Sequence, residues 1–274
     1  MKMLRHSFLL VSFLMLTCVE LLAQKDEVNF KVSDADQHEV DENLEDSIFY
    51  TLTDAINDPM RVRQLIVESK GLKVLPNAIL SFKNLRVLDI SHNRISSLPD
   101  SLFLACLQLE ELRYAGNELL EIPKAVYHST LKVLDVSENH ITVISDQIGT
   151  CKHLEELDVH ANDVSMLPTK YVVLHHLKSI ILSENPLKKT GSWMFHQPQL
   201  KILFLDNTQI ESLDASIYRA THLKLLNIES NTLQYFPSGI CQLKGLKVLM
   251  LEGNPLTTGV LDELMKCLPD VLIR

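Results

Sequence analysis

Apolar and polar positions follow one repeating cadence along most of this chain, L-x-x-L-x-L-x-x-N-x-L. Copies begin at Val62, Leu85, Leu109, Leu131, Leu154, Leu177, Leu200, Leu223 and Leu246, at steps of 22 to 24 residues. With the first residue numbered slot 1, slots 1, 4, 6 and 11 are apolar in all nine copies. That is 36 positions in a chain only 46% hydrophobic, so composition does not explain them. A fixed period in this range predicts stacked coils, each unable to bury its apolar face alone. Slots 4 and 6 lie two apart and point to one side of a short strand, whereas slots 3, 5 and 7 are mostly polar and point to the other. Nine parallel strands spaced about 4.8 Å apart would form a sheet roughly 40 Å wide.

Slot 9 holds Asn93, Asn117, Asn139, Asn162, Asn185, Asn231 and Asn254. A side-chain amide both donates and accepts. At the turn after a strand it can satisfy backbone groups of adjacent coils that would otherwise be buried unpaired. Lys70 and Thr208 depart from the rule. The first belongs to the end copy, and the hydroxyl of the second can do part of the same work. Six residues after slot 9 stand Pro76, Pro99, Pro123, Pro168 and Pro237. Proline fixes φ and cannot donate to a ladder, so it suits an irregular return arm.

These motifs resemble the leucine-rich-repeat family, in its subclass with L-P-x-x-L return arms, over residues 44–274. The resemblance implies an α/β fold: a right-handed solenoid with a concave parallel β-sheet and a cap at each end. It also implies a protein ligand on the concave side. The run Leu52 to Leu65, with Ala55, Pro59 and Val62, looks like the entry module of secreted bacterial members.

Outside the copies, residues 1–23 read as a secretory signal peptide: Lys2, Arg5 and His6, an apolar stretch from Phe8 to Val19, and Leu21-Leu22-Ala23 before a cut near Gln24. The apolar run is short for a membrane span. Lipidation at Cys18 is the alternative, although Met15, Leu16 and Thr17 fit a lipobox poorly. Residues 24–43 read as an acidic, disordered linker. Residues 44–61 predict a helical cap, with Asn43 and Asp46 forming a capping box and Leu44, Ile48, Leu52, Ala55 and Ile56 on one face. Residues 62–268 hold the nine copies. A helix beginning at Leu261 and a closing strand or turn between Leu268 and Ile273 would finish the core by residue 274.

The chain has 26 basic and 35 acidic residues. Without residues 1–23 the balance is 24 to 34, a net −10. That argues against nucleic acid and anionic membrane surfaces as main partners. Cys106, Cys151, Cys241 and Cys267 lack the C-x-x-C spacing of zinc or redox sites. Cys106 and Cys151 lie two coils apart, roughly 10 Å by strand spacing, which leaves them as buried thiols. Cys241 and Cys267 lie in adjacent coils at different depths, and the spacing leaves their pairing open.

Aligned copies give two zones on the concave face. The central one is polar: Asp89, Glu111, Arg113, Asp135, Glu156, Asp158 and His160. Arg113, between Asp89 and Asp135 in the slot 5 column, would bridge both carboxylates. The plainer reading is a solvated charge ladder; recognition of a polar partner and a metal at Asp135, Asp158 and His160 are the alternatives. The C-terminal zone is apolar: Ile181, Ile202, Phe204, Leu225, Val248 and Met250, expected to face solvent as an interface; the alternative is that a flanking element or the chain's own acidic arm covers it. Acidic residues at slots 7 and 8 (Glu138, Glu184, Asp206, Glu229 and Glu252) would rim it. Lys178, Lys201, Lys224 and Lys247 form a solubilising column at slot 2. The sixth return arm breaks the pattern with Lys189-Thr-Gly-Ser-Trp193-Met-Phe195-His196-Gln-Pro198, read as local repacking or as an exposed aromatic anchor at Trp193.

No G-x-S-x-G, P-loop or H-E-x-x-H supports catalysis. The sequence therefore predicts a secreted, non-enzymatic recognition protein. It should be monomeric or weakly self-associating, bind a protein chiefly through the apolar zone, and need no cofactor or metal. A self-associating envelope protein and a hydrolase using the central carboxylates are the rival readings.

Overall fold

The computed structural model describes residues 47–170 and 172–274. The signal peptide, the acidic linker and the Asn43–Asp46 capping box lie outside these residues. Eleven short strands run parallel in one sheet, in chain order: β1 (Ile48–Phe49), β2 (Gln64–Ile66), β3 (Val87–Asp89), β4 (Glu111–Arg113), β5 (Val133–Asp135), β6 (Glu156–Asp158), β7 (Ser179–Ile181), β8 (Ile202–Phe204), β9 (Leu225–Asn227), β10 (Val248–Met250) and β11 (Leu272–Ile273). Strands β2 to β10 each cover slots 3–5 of one copy, and they pair slot on slot without slippage.

The register has a simple cause. Shifting any strand by one residue would turn its slot 4 side chain away from the core. Those nine side chains, Leu65, Leu88, Leu112, Leu134, Leu157, Ile180, Leu203, Leu226 and Leu249, are at most 1% exposed. Burial of each contributes about 1.5–3 kcal/mol. This is the architecture expected of a leucine-rich-repeat solenoid, with the sheet as its concave side.

The return arms carry 3-10 turns at Asn77–Ser81, Lys124–His128, Asp146–Thr150, Ala215–Arg219 and Ser238–Gln242. Short helices replace them in two coils, α2 (Ser101–Ala105) and α3 (Ser192–Phe195). Pro76, Pro123 and Pro237 stand directly before their turns with φ between −56° and −65°. The ring presets the dihedral the turn needs and removes an N–H that would have no partner there.

The N-terminal cap differs from the sequence expectation. Ile48 and Phe49 form a strand that extends the sheet edge, paired with Gln64 and Leu65. The helix α1 is only Leu52–Asn57; its cap is Thr51, whose hydroxyl accepts from the Asp54 N–H. Ala55 is buried, but Ile56 is exposed. An open sheet edge offers unpaired backbone groups, and a strand satisfies them where a helix cannot. At the other end α4 (Thr258–Cys267) starts three residues before Leu261, capped by Thr257. β11 then closes the sheet on β10. Cys241 and Cys267 are joined by a disulfide with their Cα atoms 5.4 Å apart, tying α4 to the last arm. Cys106 and Cys151 are buried free thiols, and burial pushes the Cys151 pKa up to about 12.

One recurrent feature was invisible in the sequence. Slot 8 is left-handed in all nine coils: Ser69, His92, Gly116, Glu138, Ala161, Glu184, Asn207, Ser230 and Gly253 have φ between 49° and 77°. Only two of the nine are glycine, the residue that normally announces this conformation.

Candidate functional site

The Asn ladder shows how the coils are joined. The Asn93 amide donates to Val67 O, Ile90 O and Ser91 O at 2.8–3.1 Å. Its Oδ1 accepts from Lys70 N and Leu72 N of the preceding coil. Asn162 makes the same set, to Val136 O, Val159 O, His160 O and Ile141 N. Thr208, a shorter side chain, reaches only Leu205 O in its own coil and Asn231 Oδ1 in the next.

Slots 3 and 5 of β3 to β6 project onto the concave face and are half-buried. Strand pairing places Asp89, Arg113, Asp135 and Asp158 side by side in one column. The bridge expected from Arg113 to both neighbours does not form. Its guanidinium instead meets Glu111 Oε2 on its own strand at 3.4 Å. The reason lies two residues downstream of each aspartate. Asp89 accepts the Ser91 N–H at 2.9 Å, and Asp135 accepts the N–H and hydroxyl of Ser137 at 3.0 and 2.6 Å. Asp158 accepts the His160 N–H and faces its Nδ1, both at 2.9 Å. Slot 5 carboxylates thus brace the turn that leads into the left-handed slot 8. Asn227 does the same for the Glu229 N–H. The legible signal was the spacing D-x-S, D-x-H and N-x-E, and it was passed over.

Electrostatics separate these groups. Burial and then the nearby Asp158 charge push the Asp135 pKa up to about 6, against the Ser137 hydrogen bonds. Burial alone would depress His160; contact with Asp158, aided by Asp135 and Glu138, outweighs it and holds the imidazole at about 9. Burial, then Glu111 and Glu155, raise Glu156. Asp158 and His160 therefore form a hydrogen-bonded ion pair, with Asp135 beside Asp158 in the column. Among the described residues, no three His, Cys, Asp or Glu side chains are disposed to hold a metal ion.

The apolar zone corrects the sequence expectation. Ile181, Ile202, Phe204, Leu225, Val248 and Met250 occupy slots 3 and 5 as expected, yet they are only 1–7% exposed rather than open to solvent. In this zone Ile181, Phe204, Asn227 and Met250 are consecutive in one column, and Ile202, Leu225 and Val248 in the other. Of the acidic groups at slots 7 and 8, Glu184 and Glu252 are exposed, and Glu138, Asp206 and Glu229 are half-buried. Glu229 is raised by burial, then by Asp206 and Glu252.

The sixth return arm is repacked inward. Trp193, Met194 and Phe195 are at most 1% exposed, so Trp193 is not a surface anchor. Gln197, 2% exposed and missed in the sequence, holds this arm to the preceding one. Its amide donates to Val172 O at 2.9 Å, and its Oε1 accepts the Leu174 N–H at 2.7 Å. The signal was a polar residue three positions before slot 1, where Phe82, Cys106, Cys151, Leu174, Ala220 and Leu243 stand in other copies and His128 is the other polar member.

Comparison with known proteins agrees with this geometry. Family profiles of the leucine-rich repeat match residues 84–105, 127–143 and 198–256. The chain is similar to Toll-like receptor 2 of Mus musculus, 34% identical over 108 residues, which is 39% of this chain and 13% of that one. It thus spans only a small part of that relative. Among solved structures it is similar to a chain of the octameric complex of Latrophilin 3, Unc5D and FLRT2, with TM-score 0.68 and 24% identity, covering 78% of this chain and 71% of that one. It is also similar to the repeat domain of the type III effector XopL, with TM-score 0.65 and 23% identity, covering 85% and 79%. At these identities the structural likeness is one of fold.

Proposed function

We propose that this leucine-rich-repeat chain is a secreted, bacterial-type, non-enzymatic recognition module that holds a protein partner against its concave face. The observation that carries the reading is the charge state of the central zone. Asp89, Glu111, Asp135, Glu156 and Asp158 share one face, among the described residues, with Arg113 and His160 as the cations of the zone, and Asp135 and Glu156 are raised by burial and by like charges. A partner presenting Lys or Arg side chains would relieve that repulsion and replace the lost water. The apolar zone, being closed, supplies a firm floor beside this patch rather than its main contact. A fold built from such repeats appears in the FLRT2 complex with Latrophilin 3 and Unc5D, which supports a protein as the ligand class. The Cys241–Cys267 disulfide supports export, because such bonds persist in oxidising compartments.

Photo-crosslinking tests the reading. A crosslinking residue at position 156, on the concave face, should capture one protein from exported or host material. The same residue at position 124, on an exposed return arm, should not. Equal capture from both positions, or capture only of a second copy of this chain, would replace partner recognition with non-specific contact or self-association.

A further inference from the structure

We propose a second binding site, on the side of the return arms, that takes an anionic group of an acidic polysaccharide. The sixth and seventh arms pack on each other through α3 and the 3-10 turn Ala215–Arg219. Between them lies an open concavity of about 490 Å³ including its mouth, lined by Phe195, His196, Gln197, Pro198, Arg219 and the pair Thr221–His222. Three of these side chains are cationic or can become so, and none is acidic, in a chain whose net charge is −9. The departure of the sixth arm creates the space. Helix α3 turns Trp193, Met194 and Phe195 inward, and Gln197 is drawn back onto Val172 and Leu174, so the floor is buried and apolar while the rim is basic.

The rim is also ordered. His196 Nδ1 donates to Ser192 O at 2.7 Å, which fixes its ring orientation. The Arg219 guanidinium stacks over the Tyr218 ring, 5.3 Å from its centre. Thr221 Oγ1 and His222 Nδ1 lie 3.4 Å apart. Guanidinium, imidazole and hydroxyl donors around a low-dielectric floor suit a sulfate ester or a carboxylate. Beyond the rim the chain passes directly into β8 and β9, headed by Lys201 and Lys224 in the slot 2 column with Lys178 and Lys247. Consecutive backbone bonds of 2.8 Å hold these four lysines on adjacent strands. A linear polymer with regularly spaced charges that follows this row competes at Lys178 with the Glu155 carboxylate already paired there. Nucleic acid fits less well, because binding of single strands draws on open aromatic faces. Here Phe195 is buried, and the exposed Tyr218 ring has one face taken by Arg219.

Dextran sulfate oligomers titrated against the full mature chain provide the test. The single tryptophan, Trp193, sits in the wall behind the site and serves as the fluorescence reporter. The oligomer should bind and perturb Trp193, uncharged dextran should not, and Arg219→Gln with His222→Gln should weaken binding at least tenfold. Both positions are exposed, so the double variant should melt with the parent. Lys73→Gln, on an exposed arm at the far end, should stay within twofold. Absence of oligomer binding, an equal loss in Lys73→Gln, or an unchanged affinity in the double variant would overturn the proposal. So would an oligonucleotide of matched charge that binds as tightly. None of these outcomes bears on the concave face, whose crosslinking pattern stands or falls separately.

Discussion

The central and C-terminal coils share one register, yet the same slots meet different surroundings. In β3 to β6, slots 3 and 5 alternate between apolar and charged residues and stay half-open. In β7 to β10 they are almost all large and apolar, and every one is shut from water. Direction along a strand is therefore set by period, but exposure is not. A sheet face can act as surface at one end and as a second core at the other.

The strongest way to break this comparison is Phe204→Ala. Phe204 is 3% exposed, so truncation should cost about 4 kcal/mol in urea unfolding. Asp89→Ala, at the same slot in the central zone, loses one turn-bracing bond and should cost only about 1 kcal/mol. Similar costs would mean that the two zones are energetically alike.

Next in size is a pH effect confined to the central zone. The His160 pKa stands at about 9 in the fold, above the ordinary value near 6.5. The folded chain therefore binds this proton more tightly than the unfolded chain. The resulting stability, up to roughly 3 kcal/mol, is fully present below pH 6.5 and is lost as pH rises through 9. Unfolding measured at pH 6 and pH 9.5 should show the fall, and His160→Gln should abolish most of it. Asp135, raised to about 6, works in the same sense, with its contribution lost between about pH 4 and pH 6.

Asn162→Ala should cost about 2 kcal/mol, because three buried carbonyls and one N–H lose their partner. A thermal melt unchanged by the substitution would show that water replaces the amide. The smallest effect is a gain. Ala161 holds φ at 49°, a strain of about 1 kcal/mol for a residue with a Cβ. Ala161→Gly relieves it but adds freedom to the unfolded chain, so the net gain should be about 0.5 kcal/mol by the same accounting. A loss would mean that slot 8 is unstrained.

Much of the fold was legible because its cause is periodic. Leu134 and Val136 must face one way, and the pattern states it outright. What was not legible depends on neighbours across strands or on backbone shape. Nothing about Glu184 or Ala161 as residues announces a left-handed turn. Arg113 had two carboxylates in its column, but Ser91 and Ser137 had already claimed them. The period puts Phe204 at slot 5, opposite the slot 4 core, but it carries no information about how far that slot is buried. At the N-terminus, helical periodicity around Ile48 competed with an open sheet edge, and the edge won.

Thr208 carries a consequence for how the molecule comes apart. A solenoid behaves as a one-dimensional stack in which each unit is stabilised by its nearest neighbours. Every interior junction but one is stitched by an asparagine that reaches back to the previous coil; at Thr208 the stitch runs forward only, to Asn231. The previous arm adapts with a left-handed Lys188 whose N–H turns to Thr208 O at 3.1 Å. What holds that junction is the pairing of β7 with β8 and the hydrogen bonds Ser183–Asp206 and Thr190–Asp214. Unfolding that enters from either end should meet there the one interior junction without an amide stitch, between a longer N-terminal block and a shorter C-terminal block locked by its disulfide.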